Sequence, residues 1–251
     1  MTAVHKLYIV NSSHPSEAVR RALALKGIPY KTVELMIPTQ RPLMRLRFGV
    51  GTVPALKLDG GEKVSGSRAI MRKLDELVPD PPLLPPQSDP EARAAVLDAE
   101  RWGDEVLQPL VRRITWAALK RRPTAIPSYQ EASQLPRLPG PVVRLVAPGV
   151  IVIARRLHHA SDDAVRADLR ALPGHLDRVD GWIADGVIGG DSARPHAADL
   201  QIGSSLRLLG TIGDARPMLT GRPCAALGME LFPDFPGEVQ AGALPPDWLA
   251  R

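Results

Sequence analysis

Apolar positions follow two different rhythms along this chain. Up to about residue 78 they come as short runs broken by polar turns; from residue 91 onward they fall mostly at helical spacing. In the first part, Lys6–Val10, Tyr30–Leu35, Ala55–Leu58 and Lys63-Val64 read as strands. Helical patterns run from Pro15 to about Lys26, near Arg41–Arg47, and, after Lys63-Val64, on to Leu77. Asp59-Gly60-Gly61 between two short strands is a hairpin signal. A βαβ order followed by a hairpin and a helix suits a small mixed sheet.

Pro79-Asp80-Pro81-Pro82-Leu83-Leu84-Pro85-Pro86 continues through Pro90 with no periodicity. Such a stretch supports neither helix nor strand and reads as a semi-rigid linker, residues 80–90, between a unit at 1–79 and a unit at 91–251. Beyond it, Val96, Ala99, Trp102, Val106, Leu110, Ile114 and Ala117 predict one long helix over Glu91–Arg122, bent at Pro109. Ser161-Asp162-Asp163 predicts an N-cap ahead of Ala164–Leu172; Asp177–Ala184 and Asp199–Leu209 continue the helical pattern. Residues 122–148 hold Pro123, Pro127, Pro136, Pro139, Pro141 and Pro148. They read either as an exposed loop or as a lid or wall of a site.

Composition narrows the class. In 251 residues, 44% are hydrophobic and 24% charged, as in an ordinary soluble globular protein. One cysteine, Cys224, excludes an intramolecular disulfide framework and fits a buried small residue in a reducing, cytoplasmic setting. No apolar run is long enough for an integral membrane segment. The charge of +5 raises nucleic acid as a partner. However, Arg112-Arg113, Lys120-Arg121-Arg122 and Arg155-Arg156 are short and lack interleaved aromatics. They read as solvated helix faces, so no nucleic-acid partner is expected.

Candidate chemistry begins at Ser13, in the polar turn between the first strand and first helix. A hydroxyl at a helix N-terminus, with free amides and the positive end of the dipole, suits an anion such as a thiolate. Ser12 is the alternative donor, and an ordinary N-cap is the alternative role. Tyr8 lies within the strand pattern and reads as packing; His14, before a proline, reads as exposed. Val53-Pro54 is a candidate cis peptide. Ser65-Gly66-Ser67-Arg68-Ala69-Ile70 opens a second helix whose N-terminus can hold a carboxylate. His158-His159 lacks ligands at metal spacing and reads as two exposed helix-end histidines, so no metal is expected.

In this order and spacing, the Ser turn, Val53-Pro54-Ala55-Leu56, Ser65–Ile70 and Ala198-Asp199 resemble the glutathione transferase superfamily. That resemblance implies an α/β thioredoxin-like N-terminal domain followed by an all-α C-terminal domain. Ser13 falls where serine- or cysteine-type members place the first residue of their catalytic motif. Val53 and Pro54, with Ser67 and Arg68, would bind glutathione, and Trp102, Val106 and Leu110 would line a pocket for a small-molecule electrophile. The resemblance also implies a homodimer, and an Asp199 that caps a core helix. Gly66 stands where the family has an acid, which leaves open another low-molecular-weight thiol or a thiol-dependent isomerase. A non-catalytic binding protein on the same fold is the third reading.

Overall fold

The computed structural model describes residues 4–136 and 139–249; Arg137 and Leu138, within the proline-rich segment, lie outside the described residues. Four strands, β1 (His5–Ile9), β2 (Tyr30–Glu34), β3 (Ala55–Lys57) and β4 (Lys63–Ser65), form one sheet in the order β2-β1-β3-β4. β1 runs parallel to β2 and antiparallel to β3, and β3 runs antiparallel to β4. Between them lie α1 (His14–Leu25), α2 (Ile37–Phe48) and, after β4, α3 (Ser67–Leu77). This is the mixed thioredoxin-like sheet that the run lengths imply.

Register fixes where a site can form. Tyr8 of β1 pairs with Ala55 of β3, and Ala55 pairs with Ser65 of β4. The turn after β1, the loop before β3 and the start of α3 therefore meet at one end of the sheet. α1 buries Ala18, Val19, Ala22 and Leu23 against it. The helix stops at Gly27, whose φ of 61° is costly for other residues, and the Ile28 amide donates to the Leu23 carbonyl at 3.0 Å. Lys26, buried, donates from Nζ to Asp75 Oδ1 at 2.6 Å and ties α1 to α3.

After α3 the regular elements are all helical, apart from one isolated bridge, among the described residues. The proline-dense stretch forms no regular element before Pro90, yet Leu83 and Leu84 are buried in the main core. The long helix is continuous but not uniform: α4 (Pro90–Trp102) passes through a π-helical segment, Gly103–Leu107, into α5 (Gln108–Arg121). Pro109 has no amide to offer the preceding turn, so the widened turn just before it absorbs the mismatch. Gly103 in this segment sits where an added Cβ would meet Ile202 at 2.9 Å.

Residues 122–148 are not one loop. They form a 3-10 segment, Pro123–Gln130, and the first half of α6 (Gly140–Leu157). Pro141 occupies the first turn of α6, where a missing amide costs nothing, and Pro148 is carried inside the helix. Then follow α7 (Asp162–Ala184), α8 (Ala197–Leu209), α9 (Arg216–Leu219), α10 (Pro223–Leu231) and α11 (Pro246–Leu249). The Ser161 hydroxyl accepts from the Ala164 amide, the expected cap of α7. α8 is buried on nearly every side and packs on α1, α4, α5 and α10.

Candidate active site

Ser13 ends the β1–α1 turn in extended backbone, with φ −75° and ψ 107°, and its side chain makes no capping hydrogen bond. Its carbonyl accepts from the Ser16 and Glu17 amides at 2.8 and 2.9 Å. Pro15 has no amide. The end of α1 thus offers fewer free donors than its sequence suggests: the Ser13 hydroxyl and the His14 amide. Ser12 is differently employed. At φ 58° it turns its Oγ to the Tyr129 carbonyl, 2.5 Å away, which also accepts from Asn11 at 2.6 Å. The 3-10 segment that carries Tyr129 therefore walls this turn.

The Val53-Pro54 peptide is cis, as the sequence suggests. Among the described residues the Val53 amide and carbonyl have no backbone partner. The Pro54 carbonyl accepts from the Gly66 amide at 3.0 Å, joining this loop to the start of α3. Gly66 has φ 90°, a region that favours glycine, and caps α3 without a side chain. The amides of Ser67, Arg68 and Ala69 are then the orphan donors of that helix end. Ser67 itself is buried, and Arg68 turns away toward α4 and the π segment. Its guanidinium lies 3.4 Å from Glu105, 3.8 Å from Glu100 and 3.9 Å from Asp104.

Trp102 and Leu110 are buried in the main core, with Val106 partly buried against it. Trp102 meets Trp182 and His175 edge-on, on the side of α7. What stands beside Ser13 instead is polar. His14 is not exposed but 2% accessible, because α8 closes over the start of α1. Its Nε2 faces the Arg112 guanidinium at 3.5 Å, and its Nδ1 lies 3.1 Å from Ser205 Oγ on α8. Arginine can only donate, so Nε2 accepts and Nδ1–H donates to Ser205. Arg112 also donates to Gln108 Oε1 at 2.6 Å. No carboxylate lies within ion-pair distance of it among the described residues, and burial lowers its pKa to about 10.

His158, at the C-terminal end of α6, is half-buried rather than exposed. Burial first, then the charges of Arg112 and Arg41, push its pKa down to about 4. Burial and Arg112 also hold His14 well below the usual histidine range. Both rings are neutral near pH 7. Arg112 lies on α5 and His158 directly follows α6, so local sequence held no signal that the charge of one would act on the other.

The histidines make stability pH-dependent. An unfolded histidine takes a proton near pH 6.5, whereas native His158 resists until about pH 4. Its contribution is therefore complete above about pH 6.5 and lost as the pH falls toward 4, on the order of 2 kcal/mol with its partial exposure allowed for. Glu17, Glu100, Asp104 and Asp199, raised by burial, titrate in the opposite sense. Urea midpoints of wild type and His158→Gln between about pH 7.5 and 5.5, one unit either side of the free histidine value, isolate the histidine. The wild type should lose more than the variant; parallel curves would remove the effect from His158.

Residues 7–82 match the family described as Glutathione S-transferase, N-terminal domain. With the sheet order and the helical region that follows, the chain has the glutathione transferase fold. Maleylacetoacetate isomerase from Pseudomonas aeruginosa is 39% identical over 94 residues, 36% of this chain and 43% of that protein. Glutathione S-transferase Z1 from Arabidopsis thaliana is 43% identical over 83 residues, 32% of this chain and 37% of that protein. The matches thus span less than half the length of these curated relatives. Among solved structures, glutathione transferase F7 from Populus trichocarpa superposes with a TM-score of 0.61 at 17% identity, covering 91% of this chain and 93% of its own.

Proposed function

We propose that this chain is a thiol-dependent enzyme that joins or exchanges a low-molecular-weight thiol, glutathione in the first instance, with a small electrophile. The observation that carries this reading is the free Ser13 hydroxyl at the end of β1, beside the unpartnered Val53 backbone and the open end of α3. When bound there, the thiol supplies a sulfur nucleophile. Ser13 would donate a hydrogen bond to that sulfur and favour its ionised form. The Val53 amide and carbonyl would hold the peptide part of the ligand in extended pairing, and the amides opening α3 would hold a carboxylate. Arg68, already engaged by acids of α4 and the π segment, would act on the ligand only through the field at that helix end.

A thiol-dependent isomerase is the second reading, favoured by the maleylacetoacetate isomerase relative and by Arg112. A cation without a carboxylate partner, flanked by two neutral histidines, suits an electrophile that carries its own carboxylate. Trp102, Val106 and Leu110, packed in or against the main core, would support the electrophile's site by packing rather than by direct contact.

Calorimetric titration with glutathione tests the cofactor directly. Saturable binding supports it; no binding at millimolar concentrations sends the assignment to another thiol. Gly66→Glu sharpens that test. An added Cβ at Gly66 meets nothing within 4 Å, but φ 90° costs a non-glycine residue about 1–3 kcal/mol. The variant should therefore melt a few degrees lower and, if glutathione is the thiol, bind it more tightly through its amine. Unchanged affinity would exclude a role for position 66 in amine recognition.

A further inference from the structure

Helix α6 wears its apolar side outward. Val143, Ala147, Ile151 and Ala154 face the core, while Val142, Leu145, Val146, Val152 and Ile153 are exposed, Leu145 to 81%. Five of the ten large hydrophobic side chains exposed among the described residues sit on this one helix. α2 packs beside it and exposes Leu43 and Leu46, the latter to 83%. Neither helix contains an acidic residue. Arg155 is satisfied by Asp162 and the Ala160 carbonyl. Arg41, Arg45, Arg47 and Arg156, by contrast, have no carboxylate within ion-pair distance among the described residues.

From this combination we infer that the face formed by α6 and α2 docks on an anionic lipid bilayer. An apolar helix face bordered by unneutralised arginines matches a membrane interface, where side chains enter the acyl boundary and guanidinium groups meet lipid phosphates. The helix lies on the membrane rather than in it: among the described residues none is long and apolar enough to cross. A second copy is a poorer occupant, because two such faces brought together would set arginine against arginine.

Co-sedimentation of the full chain with phosphatidylcholine vesicles, with and without about one-third phosphatidylglycerol, tests this. Binding should require the anionic lipid and weaken with salt. Leu145→Asp with Ile153→Asp should cut the partition coefficient at least about tenfold, and each of Arg45→Gln and Arg156→Gln about fivefold. All four positions are exposed, so melting temperatures should stay put, which separates lost docking from lost folding. Absence of binding to anionic vesicles, or equal binding by the apolar variant, would overturn the inference. So would self-association in sedimentation velocity that Leu145→Asp abolishes without any lipid binding, since a second copy would then cover the face.

Discussion

Replacing Ser13 by alanine should lower kcat/KM for thiol transfer about 100-fold, roughly 2.7 kcal/mol of lost stabilisation, while leaving the melting temperature nearly unchanged. Both halves follow from one observation: the Ser13 side chain is not spent on the fold. It makes no cap to α1, and the groups that do close the first turn, the Ser16 and Glu17 amides on the Ser13 carbonyl, belong to the backbone and survive the substitution. A serine N-cap removed elsewhere costs about 1 kcal/mol, and here that contribution is missing from the start. Ser12→Ala provides the mirror image. It cuts the bond to the Tyr129 carbonyl and should cost about 1 kcal/mol of stability, with a smaller effect on turnover. Steady-state kinetics and thermal melts on both variants decide the matter. If Ser12→Ala abolishes turnover and Ser13→Ala does not, the donor has been assigned to the wrong serine. If neither lowers turnover, the thiolate is stabilised elsewhere.

Asp199→Ala should be the most damaging of these substitutions to stability. The carboxylate is buried between two amides, Gly189 at 2.6 Å on Oδ1 and His196 at 2.7 Å on Oδ2. Burial raises its pKa, and those amide bonds oppose the rise. Without it, two covered N–H groups lose their acceptor, at about 1–3 kcal/mol together with the lost cap. For a chain of this size a loss near 3 kcal/mol corresponds to a melting temperature lower by about 10 °C. The damage reaches the site through α8, which carries Ser205 to His14 and Gln201 to Asp104. Asp199→Asn, which keeps one acceptor, should recover part of the loss. A melt unchanged in Asp199→Ala would mean that α8 is held by its packing alone.

Much of the fold was legible in the chain because its signals are local. Strand–turn–helix order, the Asp-Gly-Gly hairpin, the Ser161 cap, the cis peptide before Pro54 and the acid at Asp199 each depend on a few neighbouring residues whose backbone options are few. Sheet pairing then brought Ser13, Val53 and Ser67 to one end, as their order implies for a βαβ unit with a hairpin. Where the sequence misled, the deciding partner was distant. His14 reads as exposed beside a proline, yet α8, nearly two hundred positions later, buries it against Ser205. His158 reads as a helix-end surface residue, yet α6 lays it beside Arg112 and Arg41. The proline-rich stretch after Arg122 reads as loop or wall because proline counts against helix in isolation. Pro141 at a first turn and an exposed Pro148 carried inside the helix leave α6 intact. Sequence alone therefore determined the thioredoxin-like sheet, the helical region and the serine turn, since short-range sterics, capping and periodicity specify them. Only the tertiary structure decided which serine is free, which charges go unpaired and which helix face meets solvent, because burial and electrostatics are set by neighbours that the chain brings together only on folding.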